Sequence, residues 1–404
     1  MSTSLLYHAF GVRGYRHVAT DFREGRVIFR IEQPRERLRC PRCGTPDVFA
    51  RGTVFRQFRT VPIGSKPVVI ELDVPRVSCR KCGIVRQVRV GFADPRRSYT
   101  KAFERYVLEL SRSMTIRDVA RHLQVSWDLV KDIQKRSYQK RFSRPKLKHL
   151  TRIAIDEISV GKGHRYVTIV LDLDTGAVVF VGRGKGADAL DPFWKRLRSS
   201  GARIAAVATD MSPAYIQAVR ENLPEATLVF DRFHVVKLFH EKLTELRRQL
   251  YREATDRLHK DVLKGTRWLL LKNPENLDET RNERERLDQA LALNHSLATA
   301  YYLKEDLRQF WDQAGPTSAE LFLRDWTARA EASGIRILKQ FAQTLQAHRA
   351  GLLAYYKHPI STGPLEGTNN KIKTMKRQAY GFRDMDFFIL KILALHESKY
   401  ALVG

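Results

Sequence analysis

Residues 151–176, "TRIAIDEISVGKGHRYVTIVLDLDTG", decide the fold. Two apolar, β-branched runs are separated by the glycine-containing "GKGH". Such runs, bounded by turn residues, read as paired antiparallel strands. A third run at 177–183 follows the turn "DTGA" and makes the hairpin a meander. The first run ends on Asp156 and Glu157. A carboxylate carried into a sheet is costly to bury unless a cation or donor sits beside it. Glu157 falls on the opposite pleat from Asp156, so one cation is not expected to serve both.

Further along, strands expected at 203–209 and 226–231 alternate with the helical stretches "ADALDPFWKRLRSS" and "SPAYIQAVRENL", as in parallel crossovers. A meander followed by βαβα is the ribonuclease-H-like arrangement, in which the first and fourth strands are neighbours. The fourth ends on Asp210, in "IAAVATDMSPAY". A third acid, Glu366, lies in "STGPLEGTNNKIK", in the first turn of a helix that Gly363-Pro364 opens. Asp156, Asp210 and Glu366 would suit two hard divalent cations, Mg²⁺ or Mn²⁺, as a catalytic pair. Asn369, one turn beyond Glu366, and the cations Lys371, Lys373 and Arg377 extend that helix toward a phosphate backbone.

Upstream, the four cysteines form two CxxC pairs, Cys40/Cys43 and Cys79/Cys82, each followed by glycine. The pattern fits one structural Zn²⁺ held by four thiolates. The intervening "VFRQFRTVPIGSKPVVIELDVPRVS" reads as two strands around a Pro-Gly turn that bring the pairs together, as in a zinc ribbon. Residues 99–142 turn helical and fit helix-turn-helix, with Ser126 capping the second helix and Trp127, Lys131 and Lys135 facing a DNA groove. Gln124 stands where a glycine is common. The expected organisation is a zinc-binding module at 1–97, helix-turn-helix at 98–148, a ribonuclease-H-like core at 149–239 and 349–404, and an all-helical insertion at 240–348.

The chain has 404 residues, 43% hydrophobic, with a formal charge of +28. That surplus points to a polyanionic partner, DNA or RNA before an anionic membrane surface. No apolar run approaches a membrane span, and the first residues lack a signal-peptide core, so a cytoplasmic protein is expected.

The motifs "AIDEIS", "ATDMSPAY", "FDRFHVVK" and "LEGTNNKIKTMKRQAYGFRD", together with the CxxC pairs and the helix-turn-helix, resemble the ISL3 family of DDE transposases over essentially the whole chain. The resemblance implies a ribonuclease-H-like core interrupted before its last acid, and Mg²⁺-dependent cleavage and joining of double-stranded DNA at the terminal inverted repeats of an insertion sequence. It implies a bacterial, nucleoid-associated protein. Synapsis of two symmetry-related ends makes a homodimer the expected assembly. Asp231 and His234 look like the family's "C/D-x-x-H" signature, auxiliary to the metal site, although an ordinary helix cap would also place them.

Other features are weaker. "VGRGKGADAL" lacks the P-loop spacing. Asp174 reads as a turn residue, with Asp172 beside it. Trp268, Trp311 and Trp326 are expected in a helical core, with base stacking as their alternative use. Two other functions fit parts of the chain: a zinc and helix-turn-helix regulator without catalysis, which leaves the three acids unexplained, and a structure-selective nuclease, which needs neither DNA-reading module.

Overall fold

The computed structural model describes residues 4–161 and 163–397. The chain divides into two compact units, Met1–Ser143 with Thr374–Gly404, and Arg144–Lys373.

The first unit opens with α1 (Leu5–Phe10), β1 (Arg16–Arg23) and β2 (Arg26–Glu32). Glu24 and Gly25 both take positive φ, the geometry of a tight hairpin turn. A long hairpin follows, β3 (Val48–Ile63) and β4 (Lys66–Cys79), and β5 (Val85–Gln87) pairs with β4. The sheet order is β1-β2-β4-β3, with β2 and β4 parallel. Its inner face buries Phe10, Ile31, Phe58, Ile70, Leu72 and Phe92. Three helices come next: α2 (Lys101–Leu110), α3 (Ile116–Leu123) and α4 (Trp127–Phe142). Their N-caps are Thr100, Thr115 and Ser126, each accepting a backbone N–H with its side chain. Gln124 takes the left-handed conformation at the α3–α4 turn, with φ 52°. Glutamine therefore fills a glycine-like position at a steric cost. Phe103, Val107, Val119, Leu123, Val130 and Ile133 form the core of this helical group.

The second unit begins with the meander β6 (Arg152–Gly161), β7 (Arg165–Asp172) and β8 (Val178–Arg183). Then come α5 (Asp191–Ser200), β9 (Ala206–Thr209), α6 (Pro213–Asn222) and β10 (Thr227–Phe230). The sheet order is β10-β9-β6-β7-β8; β6, β7 and β8 run antiparallel, and β9 and β10 run parallel to β6. A run of helices follows: α7 (Arg232–Glu253), α8 (Arg257–Gly265), α9 (Glu283–Leu293), α10 (His295–Arg308), α11 (Pro316–Ala332), α12 (Arg336–Ala347) and α13 (Arg349–Leu353). They bury Phe239, Leu303, Trp326, Phe341 and Leu345 in a core that reaches the sheet through Ile216 and Phe230. Gly351 of α13 lies so close to the Phe230 ring that a Cβ there would overlap it. α14 (Gly363–Gln378) starts in this unit, and α15 (Met385–Leu393) belongs to the first.

The expectation of a helical core holds for Trp311 and Trp326; the Trp326 indole donates to the Leu303 carbonyl at 2.9 Å. It fails for Trp268, which is 64% exposed with the Arg267 guanidinium 4.6 Å from its ring centre. Trp268 precedes a single 3₁₀ turn rather than lying on the inner face of an amphipathic helix. Among the described residues, no helix is long and apolar enough to cross a membrane.

Candidate active site and nucleic-acid-binding elements

Strand register brings the aspartates together. Arg152 of β6 pairs with Ala206 of β9, and Ala206 pairs with Thr227 of β10. Counting four residues forward along each strand gives Asp156, Asp210 and Asp231. Asp156 lies within β6, just past its last pair with β9, whereas Asp210 and Asp231 directly follow the last residues of β9 and β10; counted this way the three fall in one row, with Asp210 in the middle. Neighbouring strands lie about 4.8 Å apart, so each Asp feels the next.

Asp156 is the hub. Its Oδ1 accepts the Glu157 amide at 2.8 Å, and its Oδ2 accepts the Asn369 side-chain amide at 2.8 Å. His234 Nε2 lies 4.0 Å from Oδ1. Burial pushes the Asp156 carboxyl above its usual range; the Glu157 amide and His234 oppose that, while the charges of Asp210 and Glu157 add to it. Asp231 caps α7 by accepting the His234 backbone N–H, and its Oδ2 lies 3.3 Å from His234 Nδ1. Its Oδ1 accepts the Thr362 N–H at 2.8 Å. Burial works against the Asp231 charge, but His234 and Thr362 outweigh it and hold the carboxyl below its usual range. Burial also disfavours the His234 cation, yet Asp231, Asp156 and Asp210 together raise the imidazole above its usual range. Asp231 is thus a helix cap and also the group that aims His234 toward Asp156.

Glu366 lies in the first turn of α14, partly exposed, one turn before Asn369. Residues three apart on a helix have Cβ atoms about 5–6 Å from one another, so the Asn369 bond to Asp156 also tethers Glu366 near the row. Asp210 Oδ1 accepts the Ser212 amide at 3.0 Å. Asp156, Asp210 and Glu366 do not close on one point: among the described residues, only the cysteine quartet gathers three or more ligand atoms within 4.8 Å of one another. Glu157 is engaged on the other face, where it accepts the Tyr215 hydroxyl at 2.9 Å. Asp174 pairs with Arg152 and Thr151, and Asp172 accepts from Thr175, so both hold the β7–β8 turn.

In the first unit, the Cys40–Cys82 and Cys43–Cys79 sulfur pairs are each 3.6 Å apart. Four thiolates on a tetrahedral Zn²⁺ at about 2.3 Å lie about 3.8 Å apart, so the quartet fits that ion. The Cys43 and Arg42 amides lower the Cys40 thiol to about 6, whereas burial and the three neighbouring sulfurs push Cys82 up to about 12. Four sulfurs this close ionise together only with a cation among them.

Comparison with known proteins agrees with this layout. The transposase profile of the ISL3 family matches residues 153–392. The helix-turn-helix profile of the same family matches 88–138, and the zinc-finger profile of transposases IS204/IS1001/IS1096/IS1165 matches 36–82. The chain belongs to the ISL3 family of transposases. Its relatives include the transposase for insertion sequence element IS1001 of Bordetella parapertussis, 35% identical over 88% of each chain. The transposase for IS1557 of Mycobacterium tuberculosis is 31% identical over 94% of this chain and 90% of its own. The Drosophila P element transposase strand transfer complex aligns over 66% of this chain and 81% of its own at 11% identity, with a TM-score of 0.34.

In this ISL3 chain the helix-turn-helix residues are not equivalent. Ser126 caps α4 by accepting the Leu129 N–H at 3.2 Å, and Trp127 beside it is 55% exposed. Lys131 and Lys135 both reach Asp384, at 3.2 and 2.8 Å. Asp384 is the N-cap of α15, and the two lysines hold its carboxyl well below the usual range, Lys135 most strongly. Their ammonium groups are thus shared with the C-terminal segment. Lys371, Lys373 and Arg377 lie on exposed faces of α14. Sequence reading missed the Asp384 clamp, the Thr362 amide and the Tyr215–Glu157 bond. Each is a partner distant in sequence, and the only signal was Asp384 as a residue that could cap "MDFFILKIL".

Proposed function

We propose that the chain is a DDE transposase that binds the terminal inverted repeats of an insertion sequence and catalyses metal-dependent DNA cleavage and strand transfer. The observation that carries this reading is the single register row of Asp156, Asp210 and Asp231, with Glu366 tethered beside it through Asn369. The catalytic core is ribonuclease-H-like, and its helical insertion, 240–348, runs from within α7 to just past the end of α12, within domains at 1–97, 98–148, 149–239, 240–348 and 349–404. The relatives named as insertion-sequence transposases support the same reading.

Asp156, Asp210 and Glu366 would hold two Mg²⁺ or Mn²⁺ ions. The donor set suits a hard cation: it is all oxygen, and burial, joined by the like charge of Asp210, raises Asp156, a penalty that a cation relieves. Asn369 Oδ1, buried without a partner among the described residues, adds an oxygen to the residue that bonds Asp156. When bound, such ions supply Lewis-acid stabilisation of the attacking and leaving oxygens. The protein's own groups do the rest. Asn369 keeps Asp156 ionised and fixes α14 over the strand ends. Asp231 orients His234, whose cation can hold a phosphate oxygen next to the acids. Lys371, Lys373 and Arg377 hold the backbone as it enters. The zinc module and α4, led by Ser126 and Trp127, recognise the element ends, and a homodimer pairs two of them at the bacterial nucleoid.

The test is cleavage of labelled DNA carrying the element's terminal repeat in Mg²⁺, wild type beside Asp210→Asn. The expected result is binding by both and cutting by the wild type alone. Equal activity of the two, or binding without cutting by either in Mg²⁺ and in Mn²⁺, would overturn the catalytic assignment.

A further inference from the structure

Beside the first CxxC knuckle, within the first unit, lies a cleft of about 580 Å³ lined by Arg37, Arg39, Arg42 and Arg89 and by no acidic residue. Some arginines on or beside this sheet are matched, Arg16 with Glu32, Arg23 and Arg30 with Asp21, Arg80 with Asp47, whereas those of the cleft are gathered around one concavity. Among the described residues, none of the four cleft guanidiniums has a carboxylate partner. One of them is held in place: Arg39 Nη1 donates to the Glu36 and Leu38 carbonyls at 2.8 Å. The Arg37 guanidinium lies against Gly14, where the missing side chain leaves it room. Gln33, also on the cleft wall, has a buried Oε1 without a partner among the described residues.

Unmatched guanidiniums around one concavity ask for an anion. The zinc site answers only part of that demand. Four thiolates on one Zn²⁺ leave two negative charges, so four arginines still exceed them by about two. Arginine forks match phosphate oxygens in pairs, and a cleft open to solvent suits a polymer better than a small ion.

We propose that this arginine cleft grips the phosphodiester backbone of duplex DNA, as a sequence-independent anchor beside the helix-turn-helix. It rests on the reading of the chain as a DNA-binding transposase and adds the surface that supplies the affinity. Because phosphate contacts carry no sequence information, the cleft should bind any duplex alike.

The experiment measures binding of the full, zinc-loaded chain to a random-sequence duplex across a salt series. Using a random duplex separates this proposal from terminal-repeat recognition and from catalysis. The variant replaces Arg37, Arg39, Arg42 and Arg89 with Gln, and zinc content is measured alongside. Each lost phosphate contact should reduce the slope of log K against log salt by about 0.9, so two or more lower it by about 1.8 or more. At 0.15 M salt that is roughly a 30-fold loss or more. Arg89→Gln alone, outside both CxxC pairs, should lower the slope by about 0.9 and keeps the test valid if the quadruple variant misfolds. An unchanged slope in Arg89→Gln and in the folded quadruple variant refutes the proposal. Loss of zinc by the quadruple variant, with no slope change in Arg89→Gln, would instead make the arginines counter-ions of the thiolates. An equal slope change on replacing the exposed Arg26, Arg51, Lys66 and Arg76 would show diffuse charge and no anchor.

Discussion

Replacing Asn369 with Ala tests the coupling between α14 and the acid row most directly. Asn369 is buried and donates to Asp156 Oδ2 at 2.8 Å, a bond made to the ionised carboxylate. A hydrogen bond to a charged group is worth about 1.5–3 kcal/mol. Its loss should raise the Asp156 carboxyl further, on top of the rise that burial already causes. The sign follows from the role: Asp156 must be ionised to act, so a higher pKa removes activity at low pH and spares it at high pH. Single-turnover cleavage of terminal-repeat DNA, measured from pH 6 to 9 at fixed Mg²⁺, should show the acidic limb displaced upward. Activity should recover toward wild type at the alkaline end. Asn369→Asp sets a second carboxylate against the first and should displace the limb further. A rate loss of the same size at every pH would refute the reasoning, because Asn369 would then act only by holding the helix.

Three other outcomes are expected. Cys79→Ser should release the zinc, unfold the sheet around the knuckles as seen by circular dichroism, and abolish DNA binding; retained zinc and retained structure would mean that three thiolates suffice. Gly351→Ala drives a methyl into the Phe230 ring and should cost about 1–3 kcal/mol, read as a lower melting temperature. His234 has its folded pKa raised, so its contribution to stability is full below about 6.5 and fades as pH rises through the folded value. The stability difference between wild type and His234→Asn should therefore shrink on going from acid into the alkaline side of neutrality; a constant difference in urea titrations would show that the imidazole stays neutral.

The local chemistry was legible before any coordinates. CxxC pairs with a following glycine, alternating apolar runs, and Ser126 ahead of a helical period are short-range patterns, and each states its geometry within a few residues. Asp210 at a strand end, the capping role of Asp231 and the opening of α14 at Gly363 are of the same kind, whereas Asp156, expected to end its strand, lies inside β6, which continues to Gly161. Trp268 shows where such patterns stop. Periodicity marks a residue as able to pack but says nothing about whether another element arrives to cover it, and none covers that ring. The tertiary structure alone decided what lies opposite what. That Asp156, Asp210 and Asp231 share a row depends on the pairing of β6, β9 and β10, and β6 and β9 are separated by 44 residues of intervening chain. That Asn369 lands on Asp156, and that Asp384 takes up Lys131 and Lys135, depends on helix placement set by the cores beneath. Hydrogen bonds and charges act over a few ångströms whatever the separation in sequence. A chain therefore announces its turns, caps and knuckles from within, whereas the partners of its charged groups are known only once the cores have packed.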